Sequence, residues 1–237
     1  MSGTLFGIRA GKPVEVVIDG VHLYNLCRNL GFDIDYERLR IMLFENYDCR
    51  KINYITKVAF NPDGEIQQPA VAKMLDFLRY NGHKPIIGEM KEWTNTEGRR
   101  IVRHNVDVIT ACAMLQAAAR GIDEIILFAG SEDLLPAIVA AQALGARVTL
   151  VSSVKPALMV SNELRGEADW FVDLADARIK DAIIRREREP REREPRESYA
   201  VDNMALNPVQ ATPEAVVVED RRETAAGRRP RYNLRKA

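Results

Sequence analysis

The chain has 237 residues, 46% of them hydrophobic, which predicts a soluble globular protein with one solid core. Its 34 basic and 34 acidic residues give a formal net charge of zero, so overall charge neither indicates nor excludes a nucleic-acid partner. The three cysteines lack CxxC spacing, which argues against a zinc site or a disulfide framework and favours a reducing, cytoplasmic location.

Strand and helix patterns alternate along most of the chain. In chain order, the predicted elements are a strand (14–18), a helix ending at Gly31, a helix (36–44) behind Asp35, a strand (52–60), a helix ending at Asn81, a strand (85–88), a polar basic loop (91–105), a helix (106–119), a strand (125–129), a helix (134–144), a strand (148–151), a helix (158–164) and a strand (170–174). Helices between consecutive strands imply right-handed crossovers and a mostly parallel sheet covered on both faces. The predicted fold class is therefore α/β, a three-layer sandwich.

The composition changes sharply after about residue 184. The run REREP at 186–190 repeats at 191–195, and few large apolar side chains follow. Such a segment cannot bury enough surface to offset the entropy of ordering, which predicts a disordered, charged low-complexity tail. We expect an N-terminal extension at 1–12, one domain over 13–180 and this tail over 181–237.

The last stretch, residues 227–237, contains five basic residues, one tyrosine and no acid. It is interpreted either as a tether for nucleic acid or an acidic protein partner, or as a solubilising tail. The small residues of the helix at 137–144 allow close packing against a second copy, but they fit an ordinary core equally well. No apolar stretch approaches the length of a membrane span and no secretory leader is recognised, so no membrane partner is expected.

Acidic residues follow two apolar runs at points where buried strands are predicted to end. Asp19 follows the run at 16–18, and Glu132 and Asp133 follow the run at 125–131. The carboxyl ends of parallel strands meet at one edge of a sheet, where open α/β sheets bind their ligands. Carboxylates gathered there predict a divalent-metal site. The structural alternatives are a common Asp-Gly turn and acids that complement helix dipoles.

Four motifs in sequence order resemble the NYN domain, a branch of the PIN-like ribonucleases. They are IDG at 18–20, VDV at 106–108 after the basic loop, AGSEDLLP at 129–136 and EADWFVDL at 167–174. The resemblance covers residues 13–178. It implies a PIN-like fold whose aspartates hold Mg²⁺ or Mn²⁺ for the hydrolysis of RNA. Carried over, it implies metal-binding and catalytic roles for Asp19, Asp107 and Asp133, and a further acidic position at Asp169.

The chain departs from the usual family pattern at four positions. His22 stands where the family usually has Asn, Ser131 replaces the first Asp of an SGDSD-like turn, Glu132 replaces the serine that follows, and Ala113 replaces another acid. Glu132 is a candidate catalytic substitute, and Ser131 and His22 are expected to contact the substrate. The chain is then either an active metal-dependent ribonuclease or a catalytically degenerate NYN domain that binds RNA or a protein.

The basic loop before Asp107 supplies the expected substrate contacts. Lys91, Arg99, Arg100 and Arg103, with His104, flank Trp93 in sequence and suit phosphate binding and base stacking of single-stranded RNA. The alternative is an ordinary solvated loop. A third class, a nucleotide-binding or phosphatase enzyme, is disfavoured because no GxGxxG, GxxxxGK[ST] or DxDx[TV] motif follows a predicted strand.

Overall fold

The computed structural model describes residues 5–94, 100–155 and 159–183. In this part of the chain the elements are β1 (Pro13–Asp19), α1 (Gly20–Leu30), α2 (Tyr36–Asn46), β2 (Asp48–Val58), α3 (Pro69–Tyr80), β3 (Lys84–Glu89), β4 (Lys91–Thr94), β5 (Arg100–Arg103), α4 (Val106–Ala119), β6 (Glu124–Phe128), a single 3₁₀ turn (Glu132–Leu134), α5 (Leu135–Ala143), β7 (Arg147–Ser152), α6 (Asn162–Glu167), β8 (Trp170–Asp173) and α7 (Ala177–Ile183). No helix among the described residues is long and apolar enough to cross a membrane.

Six of the strands form one parallel sheet in the order β3-β2-β1-β6-β7-β8. Helices α1, α2, α3 and α7 pack on its first face, and α4, α5 and α6 pack on its second. This confirms the predicted three-layer α/β sandwich. From the neighbours β1 and β6 the chain continues in opposite directions across the sheet, which makes this pair a topological switch point.

Apolar side chains alternate between the two faces of the central strand. Val14, Val16 and Ile18 of β1 pack in the core of the first face, while Val17 packs in the core of the second. Both faces are covered, so the strand needs apolar residues on each side, which explains the continuous run in the sequence. α1 then begins directly at the carboxyl end of β1 and ends at Gly31, whose φ of 76° is left-handed.

The predicted basic loop at 91–105 is wrong in part, because it contains a β-hairpin. β4 and β5 pair antiparallel, with Lys91 opposite Arg103 and Thr94 opposite Arg100. β-branched and aromatic residues favour strands, and the many charged residues around them obscured that signal in the sequence. The substrate-contact prediction for Arg99 falls on residues 95–99, which lie outside the described part.

The predicted helix at 158–164 is also wrong at its start, since α6 begins at Asn162. The Oγ of Ser161 accepts a hydrogen bond from the backbone N–H of Leu164 at 3.0 Å and so fixes the helix N-terminus there. Serine at this position satisfies a backbone donor that the helix itself leaves unpaired. Residue 158, where the helix was predicted to begin, is outside the described residues.

Both ends of the described chain pack on the domain. Phe6, in the predicted N-terminal extension, is fully buried in the first-face core. α7, which the sequence analysis did not predict, buries Ile179 and Ile183, and the carbonyl of Ile183 accepts a hydrogen bond from the backbone N–H of Asp35 at 2.9 Å. Packing therefore continues past the boundary expected at residue 180. The predicted tail beyond residue 183 lies outside the described residues.

A buried carboxylate lies near the amino edge of the sheet. Glu15 of β1 is only 2% exposed and accepts hydrogen bonds from Asn53 Nδ2 at 2.7 Å and from Arg120 Nη2 at 2.6 Å, with Lys51 Nζ at 3.8 Å. Burying a carboxylate is costly unless such partners satisfy it. The partners make this acid part of the scaffold rather than a site.

Arg120→Met is expected to lower the free energy of unfolding by about 2 kcal/mol, because it removes a cation from a buried carboxylate that keeps Asn53 and Lys51 as partners. The matched control is Arg79→Met, which breaks an equally short but exposed pair with Asp76 and should cost roughly 0.5 kcal/mol or less. Urea denaturation measures both. Equal losses would contradict the distinction between buried and exposed pairs.

Candidate functional site

Asp19 is placed by two elements at once. It is the last residue of β1 and the N-cap of α1, and its Oδ1 accepts hydrogen bonds from the backbone N–H groups of Val21 at 2.9 Å and His22 at 3.0 Å. The side chain is 5% exposed, and Oδ2 has no hydrogen-bond donor among the residues that the structure describes. One carboxylate oxygen therefore caps the helix, while the other makes no hydrogen bond to a described residue.

Asp107 and Asp133 reach the same edge of the sheet from the second-face elements. Asp107 lies in the first turn of α4, and Asp133 lies in the 3₁₀ turn that follows β6. Burial raises the pKa of Asp19 to about 6, and the charge of Asp107 contributes to this rise. Burial also raises the pKa of Asp107, an effect that His104 opposes and Asp133 strengthens. The charge of Asp107 thus acts on Asp19, and the charge of Asp133 acts on Asp107.

The chemistry of these three carboxylates suits a hard divalent cation. Ionising neighbouring carboxylates in a buried setting is unfavourable, and a doubly charged ion offsets that repulsion. Within residues 5–94, 100–155 and 159–183, no three His, Cys, Asp or Glu side chains are arranged to hold a metal ion by themselves. Mg²⁺ keeps several of its waters, however, and is often bound through only one or two carboxylates, so such a site does not require a third acidic ligand.

The turn after β6 carries the other predicted site residues. Ser131 is its N-cap, and its Oγ accepts a hydrogen bond from the backbone N–H of Asp133 at 3.3 Å. Glu132 is exposed on the same turn. β6 pairs with β1 up to Ile18 and Phe128, so the turn lies beside Asp19 at the switch point.

His22 occupies the space next to this turn. Its Nε2 hydrogen-bonds the Oγ of Ser152 at 3.0 Å, and that hydroxyl donates to the carbonyl of Met159 at 3.4 Å. A Cβ atom added to Gly130 would lie only 2.3 Å from His22 Cε1, so the ring packs directly on the glycine. Burial lowers the pKa of His22 to about 4, which leaves the ring neutral at pH 7. The ring therefore joins α1 to the ends of β6 and β7, and its contact with substrate stays a prediction.

Asn105 is the N-cap of α4, but its side chain makes no capping hydrogen bond. Its Oδ1 would lie 2.7 Å from a Cβ at Gly88, so the amide instead packs closely against β3. The structure leaves the first turn of α4 without a side-chain cap. The acidic side chain of Asp107 complements the helix dipole at this end.

Asp169 lies at the other edge of the sheet. It precedes β8, and its Oδ2 accepts hydrogen bonds from the backbone N–H of Val148 at 2.8 Å and from Gln142 Nε2 at 3.2 Å. Since β8 runs parallel to β1, the amino end of β8 is far from the carboxyl end of β1. The expectation that Asp169 joins the acidic site is wrong, and the residue orders the start of β7.

The basic hairpin begins and ends near the acidic residues. The backbone N–H of Met90, just before β4, donates to the carbonyl of Val58 at 3.0 Å at the carboxyl end of β2. His104, just after β5, is close enough to Asp107 to lower its pKa. The predicted substrate residues Arg100 and Arg103 lie on β5 between these two points.

Lys57 is a charged residue of this edge that the sequence analysis missed. It lies near the carboxyl end of β2, and the charge of Asp19 acts on its ammonium group. Its position close to the predicted strand end, after the apolar and polar residues of β2, was the available signal.

Comparisons with known proteins agree with this architecture. The model of the NYN domain family matches residues 13–175. A crystal structure of a Vibrio parahaemolyticus protein of unknown function matches with a TM-score of 0.52 and 16% identity, covering 75% of this chain and 100% of that one, which shows a shared fold. A Staphylococcus aureus nicotinamidase, with 12% identity over 65% of this chain and 90% of its own, has a TM-score of 0.29, too low to indicate the same fold. No curated protein matches. The family match covers well over half of the sequence, and the chain therefore belongs to the NYN domain family.

Proposed function

We propose that this protein is a metal-dependent ribonuclease that hydrolyses RNA phosphodiester bonds at the carboxyl edge of its sheet. The observation that carries the proposal is the position of Asp19, Asp107 and Asp133 on elements that meet at the carboxyl edge of the sheet, beside the switch point, in a chain of the NYN domain family. The cofactor would be Mg²⁺ or Mn²⁺, and the substrate would be RNA.

The acidic residues have distinct tasks in this proposal. When bound, the divalent ion would offset charge on the phosphoryl oxygens and lower the pKa of an attacking water. Asp19 and Asp107 would hold it, and Asp133 would hold it from the exposed turn. Glu132 would be a substitute acid on that turn. Ser131 and His22 would border the substrate, and the arginines at 99, 100 and 103 would bind its phosphates.

The second candidate is a degenerate domain that binds RNA or protein without cutting. It is favoured by three observations in the described chain. Ser131 uses its hydroxyl to cap the turn, Ala113 is buried in the core, and no three acidic or His and Cys groups are preassembled around a metal position. We place this candidate second because Oδ2 of Asp19 makes no hydrogen bond to a described residue, and the pKa of this carboxyl group is raised.

A cleavage assay separates the two candidates. The purified protein with MnCl₂ is expected to cut a fluorescently labelled single-stranded RNA, and Asp107→Asn should lower the rate by about 100-fold because it removes a charged ligand. Asp169→Asn is the matched control. Its amide oxygen still accepts the hydrogen bond from Val148 at the far edge, so the rate should not change.

Three results would contradict the ribonuclease proposal: no cleavage by the wild-type protein, cleavage that persists in excess EDTA, or equal rates for the wild-type protein and Asp107→Asn. RNA binding without cleavage would support the degenerate domain. The cysteine usage leads us to propose a cytoplasmic location as well.

A further inference from the structure

The position of Lys57 follows from the register of the central strands. Asp19 of β1 lies opposite Ile55 of β2, so Lys57 lies two residues further along β2, beyond the end of β1. Ile55 packs in the second-face core. Side chains alternate along a strand, so Lys57 is on the same face as Ile55, which is the face where α4 begins with Asp107.

The neighbours of Lys57 on this face leave its charge largely uncompensated. Gly88 lies opposite it on β3 and contributes no side chain. Its ammonium group acts on His104, whose pKa is lowered first by burial and then by Lys57. In the part of the chain that the structure describes, Lys57 forms no ion pair and no hydrogen bond, although the charge of Asp19 is close enough to oppose the lowering of its pKa by burial.

An ammonium group with three donors, half-buried at a site edge and without an acceptor among the described residues, suits an anionic ligand. Lysine offers a compact point charge that binds phosphate oxygens. The carboxylates beside it would repel an anion unless cations accompany it. A phosphate that approaches Asp19 and Asp107 therefore needs a positive partner, and Lys57 is a described cation within electrostatic range of Asp19.

We propose that Lys57 binds a nonbridging oxygen of the substrate phosphate and holds that phosphate beside Asp19 and Asp107. This inference rests on the proposed ribonuclease function, and it adds a substrate-binding residue on β2. The phosphate would then lie between acidic residues on β1 and α4 and a basic residue on β2.

The test uses the full chain and a fluorescently labelled single-stranded RNA in EDTA, so that binding is measured without cleavage. Lys57→Met removes the charge and keeps a flexible stem, and it is expected to raise Kd about 10-fold at low salt. The slope of log K against log salt should fall by about 0.7, the value for one phosphate contact on a single strand. Lys57→Arg should retain most of the affinity and the slope.

Lys84→Met is the matched control, because it removes an exposed lysine at the amino end of the neighbouring strand β3. It should leave Kd and the salt slope unchanged. Thermal melting shows whether each variant is folded, and Lys57→Gln, which also removes the charge, replaces Lys57→Met in the test if that variant does not fold. In MnCl₂, Lys57→Met should lower kcat/KM at least as much as it lowers affinity.

The outcomes distinguish this inference from the function on which it rests. If the wild-type protein cuts RNA but Lys57→Met binds and cuts it as well as Lys84→Met does, the role of Lys57 is overturned and the ribonuclease proposal stands. If the wild-type protein binds RNA through Lys57 without cutting it, the role of Lys57 stands and the ribonuclease proposal fails. If the wild-type protein neither binds RNA in EDTA nor cuts it in MnCl₂, both are overturned.

Discussion

Asp19→Asn is expected to give a protein that is more stable than the wild type at neutral pH and has lost the proposed ribonuclease activity. Burial raises the pKa of Asp19 from its ordinary value of 3.8 to about 6, so the folded protein holds this proton more tightly than the unfolded chain does. This contribution to the stability of the folded state is fully present below pH 3.8, where the side chain is protonated in both the folded and the unfolded state. It is lost as the pH rises from 3.8 through 6, because the unfolded chain ionises first. Above that pH the ionised side chain costs about 3 kcal/mol.

Asparagine removes this cost and keeps the helix cap. Its amide oxygen can accept the hydrogen bonds that Val21 and His22 donate to Oδ1, and asparagine is as good an N-cap as aspartate. We expect the free energy of unfolding at pH 7.5 without metal to rise by about 2 to 3 kcal/mol, and the difference from the wild type to narrow towards pH 4. Urea denaturation at several pH values measures this.

The same variant tests metal binding without an activity measurement. MnCl₂ should raise the Tm of the wild-type protein, because an ion that binds only the folded state stabilises it, and it should have little effect on Asp19→Asn. Cleavage should fall by at least about 100-fold. Asp35→Asn is the control, since Asp35 caps α2 in the same way with Oδ1 accepting from Arg38 at 3.1 Å. An equal Mn²⁺ response in the wild-type protein and Asp19→Asn would overturn the assignment of Asp19 as a ligand.

Gly130→Ala is expected to destabilise the protein by about 2 to 3 kcal/mol and to reduce cleavage. The added Cβ would lie 2.1 Å from the backbone carbonyl oxygen of Met159 and 2.3 Å from Cε1 of His22. A backbone atom cannot turn aside as a flexible side chain can, so the strand end must shift. That shift moves the turn that carries Ser131 and Asp133, and activity should fall together with stability.

Gly166→Ala provides the comparison, because an added Cβ in α6 meets no atom within 4 Å. It should be neutral or stabilise the helix by up to about 1 kcal/mol. Combining Gly130→Ala with His22→Ala removes one of the two clashes and should recover part of the lost stability, which a double-mutant cycle quantifies. If Gly130→Ala melts at the wild-type temperature and cuts RNA normally, the close packing at the end of β6 does not matter for function.

The sequence by itself determined the layers of this protein and the edge where its acids collect. Continuous apolar runs at β1, β6 and β7 could be accommodated only by strands covered on both faces, and amphipathic spacing between them required helices. Asp19 follows its strand in sequence, so its place at the carboxyl edge needed no tertiary information. α1 and α2 were predicted well for the same reason, since the local caps Asp19 and Asp35 and apolar periodicity define them.

Only the tertiary structure decided which charged groups meet. Asp169 lies in an acidic motif, as Asp19 and Asp107 do, but β8 begins at the opposite edge of the sheet. There its carboxylate accepts a hydrogen bond from the backbone of β7. Lys57 is distant from Asp107 in sequence, and the register of β2 on β1 brings it to the same edge and face. A raised pKa depends on burial and on the other charges nearby, which short-range sequence patterns do not contain. The sequence thus places groups on elements, and packing alone sets the distances that govern their chemistry.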